Sequence, residues 1–261
     1  MFKHVTAILK THAIILCAGT GERWGNFLGS PKHLIEIDGE RLIDRTVRLI
    51  KAFSNDKTDI FIVANNDSRY EIDGCKLFIP EKNLQIGRAD QYINSKQLWN
   101  KEGRTIIFFG DVWFSEFCMK SIMQNMDKDW TTFGRKGGSV ITGHPWTEPF
   151  AHSFYPDQMH MLEEILNKMI KEFQEKKTLE IGFWASYLSM ISRFFQIDDF
   201  TDDFDFPRDY KCWIKNWERF KKNKKSITPL KILEFYLIIV RHRYVPTSKT
   251  KKKILSKLTN I

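Results

Sequence analysis

From His12 to Ala18 the chain reads HAIILCA, a nearly continuous apolar run bounded by glycine-rich sequence. Such a run fits a strand buried on both faces of a parallel sheet, because neither face is left for water. After a loop from Gly19 to Pro31, Leu34 to Gly39 suggests a brief strand with a turn. Leu42 to Phe53 then spaces Leu42, Ile43, Val47, Leu49 and Ile50 so that they stripe one side of a helix. Asp59 to Ala64 (DIFIVA) predicts a second buried strand, Lys76 to Ile79 a third, Ala89 to Trp99 a helix, and Thr105 to Gly110 (TIIFFG) a fourth strand that ends on Asp111. Further strands are expected at Trp130 to Gly134, Pro149 to Tyr155 and Phe194 to Asp199, with a long amphipathic helix from Pro156 to Glu175.

Strands therefore alternate with helices. This order implies βαβ crossovers, and the right-handed rule puts helices on both faces of a mostly parallel central sheet, an α/β architecture. Ligands of such sheets gather at the carboxyl ends of the strands. The glycine-rich loop after the first strand and Asp111 after the fourth both lie at such ends. One domain is expected over residues 1–220, followed by a basic C-terminal extension, 221–261, that opens on Lys221-Lys222-Asn223-Lys224-Lys225.

With 261 residues, 42% of them hydrophobic and 28% charged, the chain has material for one sizeable core, and disorder or a disulfide miniprotein is excluded. Net charge is +9, yet from Lys215 onward 14 Lys and Arg face two acids, which leaves the first 214 residues at −3. The basicity belongs to the tail. A basic nucleic-acid-binding body is thereby excluded, while the tail itself suits an anionic partner or surface. Cys17, Cys75, Cys118 and Cys212 form no C-x-x-C pair, which points to reduced thiols and a cytoplasmic setting. No apolar stretch approaches the roughly 20 residues of a membrane span, and none resembles a secretion signal. The seven histidines show no H-E-x-x-H and no cysteine at ligand spacing, so no zinc site is expected.

The chemistry concentrates in Leu16-Cys17-Ala18-Gly19-Thr20-Gly21-Glu22-Arg23 and in the pair Pro31-Lys32 that follows. Glycines let main-chain N–H groups turn toward an anion, and Arg23 and Lys32 bring the charge a polyphosphate requires. Trp24 stands where a dinucleotide loop would have its third glycine, and no G-K-[ST] closes a Walker loop. Asp111 reads either as a metal ligand or as the N-cap of a helix beginning near Phe114. Asp205 sits among Asp202, Asp203 and Asp209, either in a metal site or in a solvated acidic turn, with Asp209 also a candidate cap for the following helix. Arg135 and Lys136, after the strand at Trp130 to Gly134, are candidates for holding an acceptor phosphate.

On these residues the chain resembles the nucleotidyltransferase (pyrophosphorylase) superfamily of GT-A, Rossmann-like fold, which opens on L-x-x-G-x-G-x-R, a short spacer and P-K. Leu16, Gly19, Gly21, Arg23, Pro31 and Lys32 fill that pattern. The similarity runs from about Ala13 to Trp213 and is closest to the compact cytidylyltransferase and molybdopterin-nucleotidyltransferase (MobA-like) branches. It implies that Leu16, Ala18, Gly19 and Gly21 bind a nucleotide, joined by Gln85 and Gly87 of a Q-x-G element. It also implies that Arg23 and Lys32 are catalytic, and that Asp111 and Asp205 hold Mg²⁺, with Asp203 as the fallback for Asp205. Asp205-Phe206-Pro207-Arg208-Asp209 matches a D-x-P-x-D-like segment, with Phe206 where these branches usually have Thr and Arg208 where they have an acid.

The resemblance implies a Mg-dependent enzyme of the EC 2.7.7 class. It would transfer an NMP group, from CTP as first guess, to a small phosphorylated acceptor such as a sugar or polyol phosphate. Pyrophosphate would leave, and surface-polysaccharide precursor synthesis is the usual setting. A homodimer is compatible with this reading. The rivals are a GT-A glycosyltransferase, whose D-x-D would replace Asp111-Val112-Trp113, and a non-catalytic nucleotide-binding protein.

Overall fold

The computed structural model describes residues 10–19, 21–81, 88–139, 141–175 and 192–224. In chain order the first elements are β1 (Thr11–Leu16), β2 (Glu36–Ile37), β3 (Glu40–Arg41), α1 (Leu42–Phe53), β4 (Thr58–Val63), β5 (Lys76–Phe78), α2 (Arg88–Asn94) and β6 (Arg104–Phe109). They are followed by β7 (Val112–Trp113), α3 (Glu116–Gln124), β8 (Thr131–Arg135), β9 (Glu148–Phe154), α4 (Met159–Gln174), β10 (Arg193–Gln196), β11 (Asp202–Asp203) and α5 (Pro207–Lys224).

Seven strands form a mixed central sheet in the order β10-β8-β9-β6-β1-β4-β5, with β9 antiparallel to both its neighbours and the other pairs parallel. The sheet is built outward from β1 in two directions. The chain passes from β1 to β4 and β5 on one side, then returns to place β6 on the other. Right-handed crossovers in opposite directions put α1 and α2 on opposite faces. α1 packs against α3 and α2 against α4, so each face carries a helix pair. The reversal falls between β1 and β6, and a crevice opens there beyond their carboxyl ends.

The expected strands at His12, Asp59, Lys76, Thr105, Trp130 and Pro149 are all present within a residue or two. Differences follow local chemistry. Leu34 to Gly39 becomes a 3₁₀ turn, Lys32–Leu34, and a hairpin of β2 and β3 whose turn residues Asp38 and Gly39 both have positive φ, the Asp-Gly signature of a tight two-residue loop. The helix expected to Trp99 stops at Asn94 and continues as a 3₁₀ turn over Lys96–Leu98. β10 ends at Gln196, short of Asp199, and is a partly exposed edge strand. α5 runs past Phe220 to Lys224; residues 225–261, most of the basic extension, lie outside the described residues. No helix among the described residues is long and apolar enough to cross a membrane.

Two apolar clusters hold the fold. The larger surrounds β1, β4, β6 and β9, where Ile14, Ile15, Ile62, Ile107, Phe108 and Phe154 are fully buried, each contributing about 1.5–3 kcal/mol by area. The smaller joins Trp24, Ile35, Ile37, Leu42, Trp113, Phe204 and Trp213. It clamps the loop after β1 and the β2–β3 hairpin onto β7, β11 and α5. The Trp217 indole and the Lys221 ammonium of α5 complete that clamp by hydrogen-bonding the Asp38 carboxylate.

Candidate active site

The site begins where β1 and β6 end side by side. Gly110 N donates to Leu16 O at 3.0 Å, and a Cβ on Gly110 would stand 2.7 Å from that same oxygen and 2.3 Å from Cys17 Sγ. Only glycine permits this approach. The consequence is that Asp111 is delivered directly against the loop after β1.

That loop is shaped by Gly21, whose φ of +66° favours glycine, and by return bonds from Trp24 N and Gly25 N to Gly21 O. The buried Trp24 indole then donates to both Phe27 O, at 3.0 Å, and Ser30 O, at 2.9 Å. One side chain thus staples the loop and brings Pro31 and Lys32 back toward β1. This gives the tryptophan in the third glycine's place a structural reason.

Asp205 arrives from the other direction. β11 pairs antiparallel with β7, with Asp203 opposite Val112, and Phe204 N donates to Asp111 O at 3.0 Å. Two residues on, the Asp205 carboxylate stands beside Asp111. Asp209 fixes the exit, accepting a 2.7 Å bond from Phe206 N as a capping residue at the third position of α5.

The four nominated groups converge. Lys32 Nζ lies 2.5 Å from Asp111 Oδ2 and 3.4 Å from Asp205 Oδ1. Arg23 grips Asp205 with a two-pronged pair, 2.8 and 3.0 Å long. Both aspartates are buried and Lys32 is largely so, whereas the Arg23 side chain is 54% exposed at the mouth. Phe206, the departure from the family's usual Thr, lies under the Arg23 guanidinium at 5.4 Å from its ring centre and carries Arg208 at 4.7 Å. Of the two readings of Asp111, the capping role falls to another residue: Ser115 Oγ caps α3 by accepting from Cys118 N.

Other candidates go elsewhere. Leu16 is buried at the end of β1, and Ala18 N donates 2.9 Å to Gln91 Oε1 of α2. Gln91, which no motif flagged, is therefore the amide that reaches the loop, and a Cβ on Gly19 would meet its Nε2 at 3.2 Å. Gln85 and Gly87 lie outside the described residues. Arg135 turns inward, with Nη1 2.6 Å from Asp202 Oδ1, while the Lys136 ammonium lies over the Phe194 ring at 4.9 Å. The two cations do not share one ligand position. Asp202 is a structural hub, accepting also from Ser139 and Thr142.

Asp203 behaves differently from Asp205. Burial, reinforced by the charges of Glu148, Asp205, Asp202 and Asp111, pushes its carboxyl well above the usual carboxylate range. Burial also raises the Cys17 thiol, and Asp111 adds to that rise. All four cysteines are free.

Residues 13–86 match the family model described as the MobA-like NTP transferase domain. Solved structures of the same fold include CTP:phosphocholine cytidylyltransferase from Streptococcus pneumoniae, at TM-score 0.53 and 15% identity over 79% of this chain and 99% of that one. This chain has the nucleotidyltransferase fold. The inositol-1-phosphate CTP transferase from T. maritima is similar at TM-score 0.55 and 13% identity, covering 79% and 97% of the two chains. A UDP-glucose pyrophosphorylase is similar at TM-score 0.54 and 11% identity, covering 82% and 100%. No curated protein matches the chain in sequence. The resemblance to nucleotidyltransferases in the sequence therefore stands on both the family match and the fold, and the fold class is as expected.

Proposed function

We propose that the protein is a nucleotidyltransferase that moves an NMP group from an NTP to a small phosphorylated acceptor and releases pyrophosphate. The observation that carries this reading is the meeting of Arg23, Lys32, Asp111 and Asp205 beyond the carboxyl ends of β1 and β6. The family match over residues 13–86 supports the same class.

A phosphate monoester has a second pKa of about 6, so the attacking acceptor is already largely dianionic at neutral pH and needs no general base. The work left to the protein is to bring two anions together, align them and stabilise the charge that develops on pyrophosphate. Gly19 and Gly21 leave the loop's main-chain N–H groups accessible to the phosphates. Arg23 and Lys32 take the β- and γ-phosphates. In the free protein both cations rest on the two carboxylates, so an incoming triphosphate exchanges one set of anions for another.

That exchange frees Asp111 and Asp205, two hard oxygen donors from adjacent backbone segments, which fit Mg²⁺. When bound there, the ion supplies positive charge at the reacting phosphates. The Gln91 amide holds the first N–H of the loop and so fixes its entry. CTP as the nucleotide, with a sugar phosphate, polyol phosphate or phosphocholine-like acceptor, is the first choice, in line with the CTP transferases that share the fold. The glycosyltransferase alternative is disfavoured because Trp113 stands where the second acid of its D-x-D would be.

The test is a pyrophosphate-release screen of the four NTPs against a panel of phosphorylated metabolites with Mg²⁺. Release that needs both an NTP and one acceptor class is expected. Sugar transfer from an NDP-sugar without pyrophosphate would overturn the reading.

A further inference from the structure

Beside the cleft, one buried cluster has metal-binding donors that the transfer reaction does not use. An imidazole nitrogen of His144, a carboxylate oxygen of Glu148 and one of Asp203 lie within 4.8 Å of one another. All three residues are 7% exposed or less. Both Asp203 oxygens are buried and accept no hydrogen bond, and neither imidazole nitrogen of His144 makes one. A buried carboxyl with no hydrogen-bond partner either keeps its proton or gives it up to a bound metal.

None of the neighbouring cations hydrogen-bonds Asp203, although one buried Arg135 nitrogen, Nη2, has no partner of its own. Lys32 and Arg23 contact Asp111 and Asp205, and Arg135 hydrogen-bonds Asp202 and the Gly137 carbonyl, with none to Asp203. Asp209 stands against the imidazole, its Oδ2 3.3 Å from His144 Nε2. A carboxylate in that position is the usual partner that orients a metal-bound histidine. In this part of the fold the acids Asp111, Glu148, Asp202, Asp203, Asp205 and Asp209 outnumber the cations Arg23, Lys32, Arg135 and Arg208, so an added cation is favoured by charge as well as by donors.

We propose that His144, Glu148 and Asp203 bind a divalent first-row transition cation of the Zn²⁺, Mn²⁺ or Co²⁺ class, at a site separate from the Asp111 and Asp205 pair. One imidazole with two carboxylates suits these ions, whereas Mg²⁺ takes oxygen donors. Three protein ligands leave positions for water. The ion joins the turn around His144, the first residue of β9 and the last residue of β11. It therefore fixes the strand whose end carries Asp205. The proposal does not depend on nucleotidyl transfer.

The full chain, stripped with a chelator and held in excess Mg²⁺, is titrated with Co²⁺ while visible absorption and bound metal are measured. About one Co²⁺ per chain is expected, retained in Asp111→Asn and weakened at least about tenfold in Glu148→Gln and in His144→Asn. Three results overturn the proposal: no Co²⁺ uptake by the wild type, uptake indifferent to all three substitutions, or uptake abolished by Asp111→Asn as fully as by His144→Asn. Should His144→Asn fail to fold, the wild-type protein loaded with Mn²⁺ answers the question by pulsed EPR. Modulation from a directly bound imidazole ¹⁴N is expected, and an all-oxygen spectrum refutes the site.

Discussion

Lys32 is the position where the free protein and the reaction make opposite demands on one charge. Replacing it with Met keeps most of the stem and removes the ammonium. Its Nζ lies 2.5 Å from Asp111 and 3.4 Å from Asp205. At an effective dielectric of about 20 these separations give gross attractions of about 7 and about 5 kcal/mol. Desolvation of three buried groups cancels much of that, and breaking one side of a buried pair costs about 3–5 kcal/mol net. Arg23 still holds Asp205 in the variant, so the lost ion pair weighs on Asp111. A loss near the lower end, about 3 kcal/mol, is expected by urea unfolding.

Removing both partners, Lys32→Met with Asp111→Asn, strands no charge and should recover at least about 2 kcal/mol of that loss. Turnover separates the structural effect from the catalytic one. If Lys32 stabilises the departing pyrophosphate, kcat and kcat/KM both fall by about two to four orders of magnitude in the folded single variant. Mg²⁺ affinity of the free protein should rise in Lys32→Met, because the ion no longer displaces an ammonium from the two carboxylates. A folded Lys32→Met enzyme with turnover within a few-fold of wild type would falsify the catalytic assignment, and a coupling energy near zero would refute the ion-pair geometry.

Three further outcomes can be checked independently. Arg104 is buried at the start of β6 and donates to Ser153 Oγ and to the Ile122 and Met123 carbonyls in the last turn of α3. Arg104→Met strands those helix-end carbonyls and should cost about 2–4 kcal/mol in urea unfolding, with a change below 1 kcal/mol counting against the cap. His152 is buried on β9, and burial lowers its pKa to about 3. Its folded value lies below the unfolded one, so its neutral form contributes full stability above about pH 6.5. That contribution falls by about 1.4 kcal/mol per pH unit as pH drops from there toward 3. His152→Phe should flatten this slope between pH 6 and 4, and an unchanged slope would remove His152 from the acid limb. Gly110→Ala drives a methyl into Leu16 O and Cys17 Sγ and should cut activity more than a hundredfold by displacing Asp111, whereas near-normal activity would show the approach is not required.

Where one signal was strong enough to survive without context, the sequence told the fold. HAIILCA, DIFIVA and TIIFFG are apolar on both faces, which suits strands in a sheet interior, and the helices between them point to a parallel sheet. Their order, with helices between, then puts the loop after β1 and Asp111 at the same end of the sheet. The G-x-G-x-R loop with Pro31-Lys32 was legible for a similar reason, since each residue type has one plain use near phosphate. Short or cooperative features were not. β7 and β11 are two residues each, and the Asp202-Asp203 pair reads as a polar turn rather than a ribbon. It becomes a ribbon because Trp113, Phe204 and Trp213 bury its other flank. Gln91 reaches Ala18 N across 73 positions, and no local pattern reports such a contact.

The acidic segment shows why the remainder needed coordinates. Asp202, Asp203, Asp205 and Asp209 are four carboxylates of one chemical type within eight residues, and spacing alone allowed each to be a ligand, a cap or a solvated charge. Their roles diverge through partners contributed from far away: Arg135, Ser139 and Thr142 for Asp202, Glu148 and His144 for Asp203, Arg23 and Lys32 for Asp205. Asp209 accepts from Phe206 N, the one local role of the four and one a capping rule could name, and also stands against His144. What separates the four is the set of partners each one meets. A site of this kind is therefore most sensitive to substitutions at the distant partners. Exchanging Arg135 for Gln should loosen Asp202 and with it β11, moving Asp205 although neither residue of the exchange touches the cleft.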